Sequence, residues 1–270
     1  MYEKKIGTLA KLAGVTSHTI KYYEKEGFVS STRDSHSNYR FYDLTSCDYI
    51  HECMKYRNIG FSVKELHTLC KMANSETLHA LLEERIHSLD QSIQNLHTKK
   101  SMTTYYFNEI CELEQYLDQW FIVPFPEFYF LAQTERFEYT EHYQLDKNDI
   151  NLVDYIPYAK TCTMLPSETF SGQSDLFFSG KIIESRFVPD DFLKRRPEFI
   201  SIGGHGQKAF ITYLKTDYKN YLTDGSLISM IKDKYFEFSN QLISNAYVLK
   251  IKTTYEPKET SYFKIYIPLR

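Results

Sequence analysis

The sequence predicts an α+β protein of several domains, and three observations indicate this organisation. The first 74 residues alternate short amphipathic stretches with turn residues. The next 44 residues contain neither Pro nor Gly, which favours one long helix. After Pro124 and Pro126, short β-prone runs recur to the end of the chain. We therefore expect three domains, spanning residues 1–74, 75–119 and 120–270.

Composition excludes several classes of protein. The five cysteines are widely spaced with no C-x-x-C pair, so we expect neither a disulfide framework nor a paired-cysteine zinc site. Free thiols and the absence of a long apolar run predict a cytoplasmic protein with no membrane partner. The net charge is −3, but residues 1–70 carry 10 basic and 8 acidic side chains. A mildly basic head therefore precedes an acidic remainder.

The chain begins with a pattern typical of two helices joined by a tight turn. Four apolar residues share one helical face of residues 6–13: Ile6, Leu9, Ala10 and Ala13. Gly14 interrupts the pattern, and Thr16 or Ser17 can cap a second helix that ends near Gly27. A small residue, a turn glycine and a buried Ile20 at this spacing indicate a helix-turn-helix.

Residues 28–42 are predicted to form a hairpin or wing, because β-prone runs flank a polar loop. Thr45 and Ser46 can cap a third helix that continues to about Asn58. Ser62 and Glu65 then form a capping box that starts a fourth helix.

Beyond residue 75, apolar residues follow the a/d spacing of a coiled coil, at Leu82, Ile86, Leu89, Ile93, Leu96, Phe107 and Ile110. A helix of this length would measure roughly 66 Å at 1.5 Å per residue and needs a partner. We expect a dimerisation helix. The alternative is an amphipathic helix that packs on its own domain.

The remainder is predicted to be an α+β domain. Six β-prone runs lie at Glu127–Leu131, Thr161–Met164, Lys181–Phe187, Lys208–Leu214, Ala246–Tyr255 and Tyr262–Leu269. Helix-like stretches lie near Asp149–Ala159 and Ser226–Asn245. The run Gly203-Gly204-His205-Gly206 lacks the Lys-Ser/Thr of a phosphate-binding loop and is expected to be a turn between strands.

Four motifs of the N-terminal 72 residues resemble the winged helix of MerR-type transcription regulators. They are Ile6-Gly7 through Leu12, Thr19-Ile20-Lys21-Tyr22-Tyr23-Glu24, Asn38-Tyr39-Arg40-Phe41-Tyr42 and Ile59-Gly60-Phe61-Ser62. The resemblance implies a winged helix-turn-helix, an antiparallel coiled-coil homodimer, and double-stranded promoter DNA and RNA polymerase holoenzyme as partners. Lys21 departs from the arginine usual in the family, which preserves a phosphate contact but loses the bidentate fork.

The C-terminal domain is similar to the gyrase-inhibitor-like effector domain of multidrug-sensing members. The similarity lies in Tyr255–Glu259, Phe263–Leu269 and Gly206–Ile211. It implies a small, aromatic or lipophilic effector. The acid that drug sensors use should fall near Val248, which is not acidic. Glu184 and Glu259 are candidate replacements. Lys250 and Lys252 alternate with apolar residues on the same strand and therefore share a face with Val248. If that face lines the pocket, the ligand is neutral or anionic. The alternative is that these lysines lie on a solvated outer face.

Eight residues are predicted to contact DNA through phosphates or the groove: Thr19, Lys21, Tyr22, Tyr23, Arg33, His36, Tyr39 and Arg40. For Tyr23 the alternative is packing in the core beside Ile20. With so few basic residues in each head, binding should need two heads and depend strongly on salt.

Ten residues are predicted to line an effector pocket, where aromatic rings would stack on a flat ligand. They are Tyr155, Tyr158, Glu184, Tyr213, Tyr218, Tyr221, Val248, Lys250, Tyr255 and Phe263. The alternative is that these aromatic strands simply pack their own core. No catalytic residue, metal site or cofactor is predicted.

We therefore expect a ligand-responsive activator that distorts promoter spacer DNA when the effector binds. A repressor or architectural DNA-binding protein with a degenerate pocket is the main alternative. A small-molecule hydrolase fused to a DNA-binding head is a further one.

Overall fold

The computed structural model describes residues 4–34, 39–71, 74–141, 150–217, 225–238 and 243–269. The chain forms two compact units, residues 1–94 and 95–270. No helix in these described ranges is long and apolar enough to cross a membrane.

The first unit contains four short helices and a small antiparallel sheet. The helices are α1 (Ile6–Ala13), α2 (Ser17–Lys25), α3 (Thr45–Asn58) and α4 (Val63–Lys71). The strands are β1 (Lys4–Lys5), β2 (Thr32–Arg33) and β3 (Arg40–Tyr42), in the order β1-β3-β2. The predicted helix-turn-helix, hairpin and following helices are therefore all present.

Local sequence explains where these helices begin and end. Gly14 adopts a positive φ of 67° after α1, a conformation that glycine tolerates without steric cost. The Thr16 hydroxyl accepts a hydrogen bond from the Thr19 amide at 3.1 Å and caps α2. At the start of α4, Ser62 and Glu65 exchange the reciprocal hydrogen bonds of the predicted capping box.

Helix α5 (Ser75–Tyr116) contributes residues to both units. Its first turns pack Leu78, Leu81 and Leu82 against the core of the first unit. Most of the predicted a/d seam is nevertheless exposed in the single chain, with 44% to 65% exposure at Ile86, Leu89, Ile93, Leu96 and Phe107.

The second unit is built on an antiparallel sheet. Its strands in the described residues are β4 (Trp120–Pro124), β5 (Phe128–Glu135), β6 (Glu138–Tyr139), β7 (Lys160–Leu165), β8 (Phe178–Glu184), β9 (Ile200–Ile202), β10 (Lys208–Asp217), β11 (Ala246–Thr254) and β12 (Thr260–Pro268). The order is β4-β10-β12-β11-β7-β8-β5-β6, and β9 pairs with β5. The predicted turn at Gly203–Gly206 joins β9 to β10.

Alternation along the strands gives this sheet two different faces. On one face, the C-terminal end of α5 contributes Ile110, Leu113 and Tyr116 to an aromatic-rich cluster. The other face packs against α8 (Ser226–Phe238) at one end of the sheet. At the other end it packs against residues 150–159 and α7 (Phe192–Arg195). The short helix α6 (Ser167–Ser171) follows β7.

Three expectations for this unit were wrong in detail. A helix was predicted over residues 149–159, but the described part, 150–159, contains a single 3-10 turn at Leu152–Tyr155, because Pro157 has no amide hydrogen to continue a helix. Helix α8 ends at Phe238 within the described residues, before the predicted Asn245. Strand β8 ends at Glu184, and residues 185–187 form another 3-10 turn.

Candidate functional site

The outer face of α2 is the candidate nucleic-acid interface. Lys21 and Tyr22 are exposed on this helix, whereas Ile20 and Tyr23 are buried against α1 and its neighbours. Tyr23 is only 5% exposed and packs edge-on against Phe28. The Tyr23 ring is therefore part of the core, as the alternative prediction for this residue stated. Tyr23 lies three residues after Ile20 and so shares the inward face of the helix.

Glu24 joins the recognition helix to the wing. Its carboxylate accepts hydrogen bonds from the hydroxyls of Ser31 and Tyr42, the latter at 3.1 Å. Arg40 of β3 lies 3.3 Å from the same carboxylate. Burial and the nearby Glu24 charge raise the pKa of Tyr42 to about 12, so this hydroxyl keeps its proton and remains a donor. Arg40 therefore supports the wing in addition to any contact with DNA.

The remaining predicted residues of this surface vary in exposure. Arg33 and Tyr39 are exposed, Arg40 and Thr19 are half-buried, and His36 lies outside the described residues. The ammonium of Lys5 lies 5.2 Å from the centre of the Tyr39 ring. Lys5 thus adds a cation beside the wing that sequence reasoning did not select.

A cavity of about 590 Å³ lies within the second unit and is the candidate ligand site. Such a volume falls within the usual range for small-molecule sites. Its wall combines the end of α5 with strands β4, β8, β10 and β12, and is formed by Glu112, Tyr116, Gln119, Trp120, Phe121, Val123, Pro124, Pro126, Glu184, Arg186, Ile211, Tyr213, Lys264 and Tyr266. Of the predicted ligand residues, Tyr213 and Glu184 belong to it.

Two pairs of opposite charges lie on the wall of this cavity. The Glu112 carboxylate accepts hydrogen bonds from the Tyr213 hydroxyl at 2.5 Å and from the Lys264 ammonium at 3.0 Å, both at the same oxygen. Glu184 pairs with Arg186 at 2.8 Å. Burial alone would raise the pKa of Glu112, but the hydrogen bond from Tyr213 and the Lys264 charge lower it overall. Glu112 is therefore ionised at neutral pH.

A third pair lies deeper, where α5 meets β7. Glu109 and Lys160 are 3.0 Å apart and both are almost completely buried. Lys160 also donates to the Tyr105 hydroxyl. Burial raises the pKa of Glu109 and lowers the pKa of Lys160, although their mutual attraction opposes both shifts.

Two predicted ligand residues lie on the face of the sheet that points away from this cavity. Val248 and Phe263 are buried in the cluster that packs against α8. The reason is the period of two along a strand: Lys264 and Tyr266 face α5, so Phe263 must face α8. The position expected to hold an acid is thus a core position.

The other predicted ligand residues are dispersed. Tyr158 stacks on Phe187 at 4.0 Å beside a separate surface depression, and Tyr155 packs in the cluster near α7. Lys250 is half-buried on β11 outside the cavity wall, and Tyr255 is 74% exposed after it. Tyr218 and Tyr221 lie outside the described residues.

Sequence reasoning missed Glu112 and Lys264 as cavity residues. A signal was present for both. Lys264 alternates with Phe263 and Ile265 and shares a face with Tyr266. Glu109 and Glu112 are spaced i, i+3, and such residues share one face of a helix.

Comparison with known proteins agrees with the geometry of the first unit. A family model described as "MerR HTH family regulatory protein" matches residues 4–73. The HTH-type transcriptional regulator ZntR homolog of Haemophilus influenzae is 34% identical over 98 residues, which are 35% of this chain and 69% of that protein. The nodulation protein NolA of Bradyrhizobium diazoefficiens is 29% identical over 89 residues, 33% of this chain and 37% of NolA.

Solved structures were also matched, and two of them are described here. One is the cryo-EM structure of the EcmrR–DNA complex in EcmrR-RPo, which is 18% identical with a TM-score of 0.39 and 98% coverage of both chains. The other is the lead(II) complex of the transcription regulator PbrR691 from Ralstonia metallidurans CH34, at 20% identity, a TM-score of 0.34, and coverage of 42% and 88%. Both scores are below 0.5, and no functional conclusion follows from either. The family model, the similarity to the ZntR homolog and the helix-turn-helix together show that the chain belongs to the MerR HTH family, whose members are DNA-binding transcription regulators.

Proposed function

We propose that this protein acts as a homodimer that binds promoter DNA through two heads and a small-molecule effector through its C-terminal units. The observation that carries the proposal is the exposed Lys21 and Tyr22 face of α2, held to the wing by Glu24. Lys21 would neutralise a phosphate, and the Tyr22 hydroxyl would donate to a phosphate oxygen.

The dimer is supported by the exposed seam of α5. Contiguous apolar side chains at a/d spacing are costly to leave in water, and a second copy of the same helix would cover them. An antiparallel arrangement follows from the family resemblance. The resulting two heads would bind a near-palindromic site.

The effector role is supported by the cavity, whose aromatic wall and few charged groups suit a small organic molecule. We assign the cavity a binding role, with no catalytic step. In this proposal the effector changes the geometry of the two heads, so that the spacer between promoter elements is bent or untwisted for RNA polymerase. The effector must bind the two dimer geometries with unequal affinity, since otherwise the equilibrium would not shift. The protein would act in the cytoplasm.

The test measures fluorescence anisotropy with the DNA upstream of the protein's own gene and with a random duplex of equal length. Lys21→Ala should weaken specific binding about tenfold and lower the salt slope by about one per head, because one phosphate contact is lost. Tyr22→Phe should weaken it less. Lys64→Ala on α4 removes an equally exposed lysine and is the matched control, expected to bind as wild type.

If neither substitution changes affinity, or if the protein shows no preference for the upstream DNA at moderate salt, the DNA role is rejected. Transcription in vitro, with and without effector, then separates an activator from a repressor. An increase in transcript with effector supports activation, and release of repression supports the alternative.

A further inference from the structure

We infer that the effector carries an acidic group, and that this group competes with Glu112 for Lys264 and Tyr213. This inference rests on the proposed effector role of the cavity and specifies the chemistry of its ligand. It narrows one of the alternatives that the sequence left open, a neutral or anionic ligand.

The first support is the convergence of two donors on one point. The Lys264 ammonium and the Tyr213 hydroxyl both donate to a single oxygen of Glu112, at 3.0 and 2.5 Å. Lys264 and Tyr213 are directly opposite each other on β12 and β10, so the sheet holds both donors in register. Glu112 demonstrates that this pair of donors accommodates a carboxylate.

The second support is the unequal burial of the two charges. The Lys264 side chain is 15% exposed, whereas the Glu112 side chain is 49% exposed. If another anion replaces Glu112, that carboxylate can return to water at little cost, whereas the more buried Lys264 is less well solvated and depends more on a counter-ion. Lys264 is therefore the fixed partner and Glu112 the exchangeable one.

The third support is the surroundings of the ammonium. Its distances to the ring centres of Tyr213 and Tyr266 are 5.2 and 5.6 Å, so two aromatic rings of the cavity wall flank the ammonium. An aromatic acid would present both a flat ring and acceptor oxygens to this wall.

Both acids of the cavity are paired, as Lys264 is. Glu112 is occupied by Lys264 and Tyr213, and Glu184 pairs with Arg186 at 2.8 Å. The Arg186 side chain is 66% exposed and provides a second cation at the edge of the same cavity. The Glu184 side chain is 13% exposed, so exchange of Arg186 for a cationic ligand is the competing outcome, and the naphthylmethylammonium probe tests it.

The test compares three probes of nearly equal shape with the full-length protein: naphthoate, naphthamide and naphthylmethylammonium. Isothermal titration calorimetry should give affinities that decrease from naphthoate to naphthamide to naphthylmethylammonium. The acid should bind about tenfold more tightly than the amide, because a charge-assisted hydrogen bond is stronger than a neutral one. Lys264→Met should abolish the preference for the acid, whereas Lys264→Arg should retain it.

Glu112→Gln provides the sharper result. Removing the internal competitor leaves Lys264 without its counter-ion, so naphthoate affinity should increase about tenfold while naphthamide affinity stays the same. Lys208→Met, an exposed lysine at the start of β10 outside the cavity, is the matched control and should not alter any affinity.

The outcomes separate this inference from the proposed function. Tight binding of naphthylmethylammonium, equal binding of acid and amide, or weaker naphthoate binding in Glu112→Gln would overturn the acidic-ligand inference and leave the effector role intact. Failure of all three probes to bind would count against both. Melting temperatures of the variants establish that each is folded.

Discussion

Between residues 86 and 107, α5 exposes its apolar side chains, whereas at residues 109 and 112 it directs two carboxylates against a β-sheet. The residue types of each stretch suit the group that would cover it. Glu109 and Glu112 have lysines of the same chain as partners. The apolar stretch has no covering group within the described single chain, which is why we propose a second copy. In this proposal one helix uses apolar area for association with a second copy, while its buried carboxylates contact the sheet of its own chain.

The largest effect is expected from substitutions that disrupt the apolar stretch of α5. Ile93→Glu combined with Leu96→Glu should abolish the dimer and raise its dissociation constant by more than about 1,000-fold. Each buried residue of this size contributes roughly 1.5–3 kcal/mol, and a two-fold dimer loses four of them. Sedimentation velocity at micromolar concentration measures the change.

Ser92→Glu combined with Asn95→Glu adds the same charge to the same helix outside the seam. This control should remain dimeric. If both double variants sediment as the wild type does, the seam is not the dimer interface.

The next largest effect is expected from breaking the buried pair of Glu109 and Lys160. Lys160→Met should reduce the free energy of unfolding by about 3–5 kcal/mol, because Glu109 is left buried without its partner. Adding Glu109→Leu should recover most of the loss, since two apolar residues can replace a buried ion pair. The single tryptophan, Trp120, lies in this unit, so urea unfolding followed by its fluorescence reports the relevant stability.

The exposed control Lys208→Met should change stability by less than about 0.5 kcal/mol. Equal stability of Lys160→Met and wild type would mean that the buried pair does not hold α5 to the sheet.

The smallest effect concerns pH and the half-exposed Glu112. Its pKa lies below the ordinary value of 4.5, so its contribution to stability is present above that pH and is lost as the pH falls through the lower folded pKa. Because half of the carboxylate is exposed, the contribution should be less than about 1 kcal/mol.

Glu112→Gln should therefore reduce stability at pH 6, and its difference from the wild type should shrink as the pH falls below 4.5. Both proteins retain Glu109, whose pKa is raised mainly by burial and acts in the opposite direction, so most of its contribution is common to the two proteins. A stability difference that grows as the pH falls would contradict this assignment.

Much of the first unit could be predicted from sequence because its signals are local. Gly14, Thr16 and the Ser62–Glu65 capping box mark helix ends within a few residues of the groups they satisfy. Glu24 was recognised only as part of a motif. Its role depends on Ser31, Arg40 and Tyr42, which come from the loop and strand that fold back onto α2.

The cavity was harder to predict because its wall is assembled from distant parts of the chain. Strand β4 was missed since Pro124 and Pro126 indicated a boundary, although Pro124 is the last residue of that strand. Tyr213 and Glu184 were chosen on the basis of residue type, and both lie on the cavity wall. Val248 and Phe263 do not lie on it, and the face of a strand cannot be assigned until its neighbours are known.

The sequence by itself determined the helices of the winged head, their order and the apolar spacing of α5, because capping, turn formation and periodicity act over a few residues. Only the tertiary structure decided which lysine faces which glutamate. Lys264 and Glu112 are separated by 152 positions, and their 3.0 Å contact depends on strand register and on how the end of α5 packs on the sheet. Contacts of this kind are set by the packing of whole elements, which no local pattern encodes.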